Sequence, residues 1–347
     1  MPKENKTLPQ HLLVIRMSAM GDVAMLPHAL RALKDAYPTL KITVATKLIF
    51  KPFFEGLGVE IMPVDPQETH HSIKGMYKLA CEVRKMGIDG VADVHDVLRS
   101  KIFRLALCLR GVKMAHIDKG HFEKWMRLKS GETCAVPLKH TVIRYCDTFR
   151  KLGYQFDDPT PATKPLRPNP MGEKTGTWIG FAPFSAQTGK TYPIAQSREA
   201  MRLLCERYDR VFIHSGGGDE GAFAQEMERL YPNATALYGK VKLDGEIDLI
   251  SHLDCVVSMD SLVMHLAALV ATPVVSVWGA THPSLGFLGY GCGEAGVLQI
   301  DMPCRPCSVY GKQACKYGDY RCLREITPQM IADRVSQVLA VREPIQN

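Results

Sequence analysis

The chain lacks any run able to cross a membrane as a helix. Such a span needs about 18 consecutive apolar residues, and the nearest candidate, Leu266 to Trp278, is shorter and broken by Pro273. The first residues, MPKENKTLPQH, are polar and lack the apolar core of a secretory signal. A cytoplasmic protein is therefore expected, and in that compartment its 11 cysteines read as thiols or a metal cluster rather than disulfides. Two nucleotide signatures are incomplete. QTGKT (187–191) ends like a phosphate loop, but Phe184 stands where the first glycine is needed. Gly216 to Gly221 has G-x-G-x-x-G spacing, yet the acid expected about 20 residues further on is absent from Thr235 to Lys240. That disfavours a nicotinamide or flavin site. It leaves Gly216 and Gly218 as either a turn lining a nucleotide cleft or a plain tight turn. No zinc finger, aromatic RNA-binding motif or recognition helix is present, so no nucleic-acid partner is expected.

What is present is an α/β pattern. Residues 11–38, HLLVIRMSAMGDVAMLPHALRALKDAYP, open with a buried-strand run from Leu12 to Ile15. A small turn around Ser18 and Gly21 follows. Then Val23, Leu26, Leu30 and Leu33 recur at helical spacing until Pro38. Strand, glycine turn and helix make half of a nucleotide-type βαβ unit, whose helix start presents backbone N–H groups to a ligand. Asp22 directly after the glycine is unsuited to a phosphate cradle. It is either a helix cap or an acid–base group acting on something uncharged.

Strand-like and helix-like stretches alternate along most of the 347 residues, which implies parallel sheets joined by crossovers. The length suits two domains. The stretch 157–176 carries five prolines and no apolar period, so it breaks the rhythm. The expected division is a first Rossmann-like domain over 1–160, a linker over 161–176 and a second such domain over 177–326. A last helix within 327–347 has Thr327 as N-cap and Pro328 at its first position, and is available to brace the first domain.

The net charge of +7 is uneven. Arg99, Lys101, Arg104, Arg110, Lys113, Lys119, Lys124, Arg127 and Lys129 face only Asp118 and Glu123 in that segment. This is either a solvated helix face or a surface for an anionic partner such as a phosphorylated lipid. In the second half, Asp260 closes a strand and opens a helix that carries Ser261 and His265. Taken singly, they read as a helix cap and a packed core histidine. Cys304, Cys307, Cys315 and Cys322 lie close together in sequence, with a spacing compatible with a structural zinc loop. Buried thiols are the other reading.

Taken together, IRMSAMGDVAMLPHALRALKDAYP, APFSAQTGKTYP and MDSLVMHLAAL…TPVVSVWGATHP follow the order seen in glycosyltransferases that resemble bacterial lipopolysaccharide heptosyltransferases. DVHDVLRSKIFRLALCLRG (93–111) also resembles the corresponding region of those enzymes. The resemblance covers nearly the whole chain. It implies a GT-B architecture of two Rossmann-like doubly wound domains facing a cleft, with the acceptor on the first and a nucleotide-sugar donor on the second. It also implies inverting transfer of heptose from an ADP-activated donor to the lipopolysaccharide core, with no cofactor required. By the same likeness Asp22 is the catalytic base, Lys190 contacts donor phosphate, and Asp260, Ser261 and His265 form the donor motif. Leu262 stands where that motif usually has glycine.

A carboxylate at a helix start is favoured in its charged form and ready to accept a proton. Lys190, with N–H groups near Ser261, can take up charge on departing ADP. The basic block, Arg99 and Lys101 first, together with Ser18 on the Asp22 turn, is assigned to an anionic lipid-linked acceptor, with peripheral contact at the inner membrane face. The alternatives are a GT-B enzyme using another sugar or acceptor, and a nucleotide-sugar-binding protein without transfer activity.

Overall fold

The computed structural model describes residues 8–65, 72–107, 112–130 and 136–341. Leu109, expected to face inward on its helix, and Arg110 of the basic block lie outside them. The chain forms two units, Met1–Lys119 with Thr141–Thr160, and Gly120–His140 with Pro161–Asn347.

In chain order the first unit contains β1 (His11–Ile15), α1 (Met20–Ala36), β2 (Lys41–Thr46), a 3-10 turn (Leu48–Phe54), β3 (Glu60–Pro63), α2 (Ile73–Lys85), β4 (Gly90–Asp93), α3 (Leu98–Leu107) and β5 (Lys113–His116). Helix α4 (His121–Ser130) follows and belongs to the second unit, after which α5 (Thr141–Lys151) returns to the first. The sheet order is β3-β2-β1-β4-β5 and every pair is parallel. Every residue of β1 is buried, as an unbroken apolar run in a sheet covered on both faces requires. Leu13, Ile15, Val91 and Phe103 belong to one core cluster of this unit.

The second unit continues with β6 (Trp178–Ala182), α6 (Ile194–Arg207), β7 (Arg210–Ile213), α7 (Asp219–Leu230), β8 (Ala234–Ala236), α8 (Leu243–His252), β9 (Cys255–Met259), α9 (Leu262–Leu269), β10 (Val274–Trp278), β11 (Val297–Gln299), α10 (Arg321–Arg324) and α11 (Pro328–Ala340). Its order is β11-β10-β9-β6-β7-β8, again all parallel. Read from the first strand of each unit, the two sheets are wound alike. In both, the chain leaves its first strand in one direction and returns on the other side with its fourth.

Three features depart from the organisation expected of the sequence, each through long-range bonds. Residues 120–140, counted there with the first domain, join the second unit. Leu138 N donates to Ser284 O at 2.8 Å, His140 Nε2 lies 2.6 Å from Leu288 O, and the Lys124 ammonium sits 4.3 Å from the centre of the Phe287 ring. The proline-rich segment is fastened along the second unit by Arg167–Asp248 (2.7 Å) and Lys174–Asp254 (2.6 Å). Helix α11, offered above as a brace for the first domain, is part of the second unit. Ile331 and Val335 enter that unit's core, and Thr327 caps the helix by accepting Met330 N at 3.2 Å. No helix among the described residues is long and apolar enough to cross a membrane.

Candidate active site

In a doubly wound sheet, ligands bind beyond the carboxyl ends of the strands, where neighbouring strands depart in opposite directions. In the first unit that point lies between β1 and β4. The turn after β1 carries Ser18 and leads to Asp22 in the first turn of α1. Asp22 is not the cap, because the N-cap is Ala19 and Val23 N donates to Ala19 O at 2.9 Å. Its carboxylate instead forms an ion pair with Arg16 while staying 28% exposed. Arg16 is buried, donates to Val94 O at 2.6 Å and lies over the Tyr145 ring, whose hydroxyl donates to the backbone oxygen of Asp22 at 3.0 Å. The base candidate is thus held from both its side chain and its backbone, with one edge open to solvent.

The turn after β4 completes this end. Fully buried Asp93 accepts the N–H groups of His95 (3.0 Å) and Asp96 (2.8 Å) and binds Arg104 at 3.2 Å. This folds His95 back so that its Nε2 lies 3.2 Å from Ser18 Oγ. Burial, then the charges of Arg16 and Lys119, hold the His95 pKa down to about 3, against the smaller opposing effect of Asp22, so the ring is neutral. Its Nδ1 is buried without a hydrogen-bond partner among the described residues. Lys119 reaches Asp96 O at 3.2 Å, and burial and the Arg16 charge lower its pKa. Arg99 is half-buried and its charge also bears on His95, whereas Lys101 is exposed and pairs with Asp96 at 3.6 Å. Of the expected acceptor residues, Ser18 and Arg99 therefore belong to this cluster directly. Arg16 and His95 were not singled out from the sequence, and Lys119 entered only as one member of the basic block. The one usable hint was their position at strand ends, in IRMS, DVHD and HIDK.

In the second unit the equivalent point lies between β6 and β9. A short 3-10 turn after β6, Thr188–Lys190, carries Lys190, and Asp260 directly follows β9. The two meet at 3.1 Å, with Asp260 buried and also accepting from Thr281 Oγ1 at 2.8 Å. The lysine turn is clamped against the loop after β10, where Ala280 N donates to Gly189 O at 2.9 Å. A Cβ on Gly279 would meet Gly189 O at 2.6 Å, and one on Gly311 would meet the Lys190 side chain at 2.6 Å, so both close approaches require glycine. Buried Arg305 pins the same loop by donating to Gly279 O (2.5 Å) and Thr281 O (2.9 Å).

Ser261 is the N-cap position of α9, with its hydroxyl 3.3 Å from that of Ser258, and His265 is buried inside the helix. Gly216 and Gly218 lie one strand further out, after β7. The Gly216 N–H already donates to the Glu220 carboxylate at 2.7 Å, and Gly218, at φ +63°, leads into α7. An acid on that amide is the opposite of a phosphate cradle. Cys304, Cys307, Cys315 and Cys322 line one pocket of about 350 Å³ together with Arg305 and Tyr320. Burial raises the Cys322 thiol pKa to about 11. Among the described residues no group of three or more His, Cys, Asp or Glu is placed to hold a metal ion. The four cysteines of the suggested zinc loop are free thiols that share this pocket.

Two parallel sheets wound alike, each with ionic side chains at its switch point, form the GT-B fold of glycosyltransferases. A structure of E. coli ADP-heptose lps heptosyltransferase II shares it, with a TM-score of 0.69 at 19% identity over 96% of this chain and 100% of that one. The chain belongs to glycosyltransferase family 9 (heptosyltransferase), whose model matches residues 76–317. Lipopolysaccharide heptosyltransferase 2 of E. coli K12 is 24% identical, covering 96% of this chain and 99% of the relative. Lipopolysaccharide heptosyltransferase 1 of Pseudomonas aeruginosa is 28% identical over 172 residues, 45% of this chain and 46% of the relative. That match therefore spans about half the relative's length.

Proposed function

We propose that this protein transfers heptose from ADP-heptose to a phosphorylated, lipid-linked inner-core saccharide of lipopolysaccharide, inverting the anomeric centre. One observation carries the reading. In a family 9 chain, the switch point of one sheet holds a solvent-accessible carboxylate and that of the other holds a lysine tethered to a buried carboxylate. The first is suited to an uncharged acceptor hydroxyl and the second to a diphosphate.

In this mechanism the acceptor oxygen attacks the sugar C1 as its proton passes to Asp22, and the bond from C1 to the diphosphate oxygen breaks. Arg16 keeps the carboxylate oriented. Lys190 has three N–H donors, so it can keep Asp260 while adding a bond to the departing phosphate. The N–H groups at the start of α9 add to that stabilisation. The step uses no cofactor. Arg99, Lys119 and the neutral His95 are the groups offered to the acceptor, at the cytoplasmic face of the inner membrane.

A transfer assay with ADP-heptose and a panel of other nucleotide sugars tests the reading, with NMR of the new linkage. Heptose transfer with inverted configuration is expected. Transfer of a different sugar, or retention of configuration, overturns it. The second reading, a different nucleotide sugar on the same scaffold, rests on Leu262 at the first position of α9, where the family motif usually has glycine.

A further inference from the structure

Helix α4 is turned inside out for a water-facing element. A surface helix normally buries its apolar stripe, but here the side chain packed inward is Lys124, 3% exposed and seated over Phe287. Phe122 is 72% exposed, and Trp125 and Met126 are each 47% exposed. With exposed Lys129 they stand at i, i+3, i+4 and i+7, so they share one face. The Phe122 and Trp125 rings lie 6.0 Å apart and the Lys129 ammonium sits 4.1 Å from the Trp125 ring centre. The face is therefore already ordered. Val136, after the helix, is 71% exposed, and Arg127 donates to its carbonyl oxygen at 2.6 Å.

We propose that this face is a membrane anchor, and that its partner is the surface of an anionic phospholipid bilayer. Aromatic and thioether side chains on one stripe, bordered by cations, are the composition of helices that lie in the headgroup layer, and tryptophan is enriched at that depth. The charge agrees. Apart from inward-packed Lys124, exposed Lys129 and half-buried Arg127 stand against Glu123 alone between His121 and Lys129, within a chain of net charge +7. One short helix gives weak, reversible, salt-sensitive attachment. The inference goes beyond the transfer reaction and does not depend on which sugar is moved.

The sequence supplies the probe. Of the three tryptophans, Trp178 and Trp278 are fully buried, so fluorescence that responds to lipid reports Trp125. The full chain is mixed with vesicles of phosphatidylethanolamine and phosphatidylglycerol, then with pure phosphatidylcholine, without any saccharide. Expected are co-sedimentation with the anionic vesicles, quenching by brominated acyl chains that disappears in Trp125→Phe, and weakening by high salt. Phe122→Ser with Met126→Ser should lower the partition coefficient by about tenfold or more while leaving the melting temperature unchanged. Absence of sedimentation overturns the proposal. So does sedimentation with Trp125 unquenched, unaltered partition of the double variant, or sedimentation velocity showing that the same face is buried between two copies of the chain. None of these readouts involves transfer, so their failure is distinct from failure of the heptosyltransferase reading.

Discussion

Asp22 and Asp260 both lie at the switch point of their sheet, Asp22 after the first strand and Asp260 after the fourth, and their surroundings differ. Asp260 is buried and bound to Lys190 and Thr281. Asp22 has one cationic partner, Arg16, and keeps about a quarter of its side chain in solvent. A buried carboxylate held by a lysine and a hydroxyl is a good tether. An accessible one fixed from a single side is free to receive a proton on the other. In the proposed mechanism the acid at one switch point serves chemistry and the acid at the other serves positioning.

The largest expected effect separates these roles. Asp22→Asn should lower turnover by about 100-fold or more with ADP affinity intact. Steady-state kinetics beside a nucleotide titration check it, and near-normal turnover would remove the distinction between the two acids. Lys190→Met should weaken ADP binding by about ten- to a hundredfold, the worth of one charge-assisted hydrogen bond. It should also lower the denaturation midpoint, because Asp260 is left buried without its cation. Adding Asp260→Asn should recover part of that stability while leaving ADP binding weak. A double variant no more stable than Lys190→Met would show that Asp260 is not the tether.

The smallest effect concerns pH. His95 has its pKa held from 6.5 down to about 3 in the folded chain. Between those values the unfolded chain binds the proton and the folded chain does not, so stability falls as pH drops through that window. His95→Gln should flatten this acid limb, seen as a smaller difference in denaturant midpoint between pH 7 and pH 5. An unchanged slope would mean that the ring is not a neutral buried member of the Asp22 cluster.

Much of the α/β plan was legible because buried parallel strands leave continuous apolar runs, as in Leu12 to Ile15 and Cys255 to Val257. Asp22 was legible because it follows such a run and a glycine, whereas Lys190 and Asp260 were assigned through the family resemblance. His95 and Arg16 were not legible, and Lys119 was so only as one member of a basic block, since what joins the three is the adjacency of β1, β4 and β5 across long crossovers. The assignment of α4 failed for the same kind of reason. Its membership of the second unit rests on bonds from Leu138 and His140 to residues nearly 150 positions away.

The sequence by itself determined the strand–turn–helix rhythm, the two sheets and the residue types at their carboxyl ends, since these follow from local periodicity and turn chemistry. Which acid stays accessible beside its cation and which is buried is set by the tertiary fold. That depends on burial and on the partners at hand, Arg16 from the end of β1 and Tyr145 from α5 beside Asp22, and Lys190 and Thr281 from the loops after β6 and β10 beside Asp260.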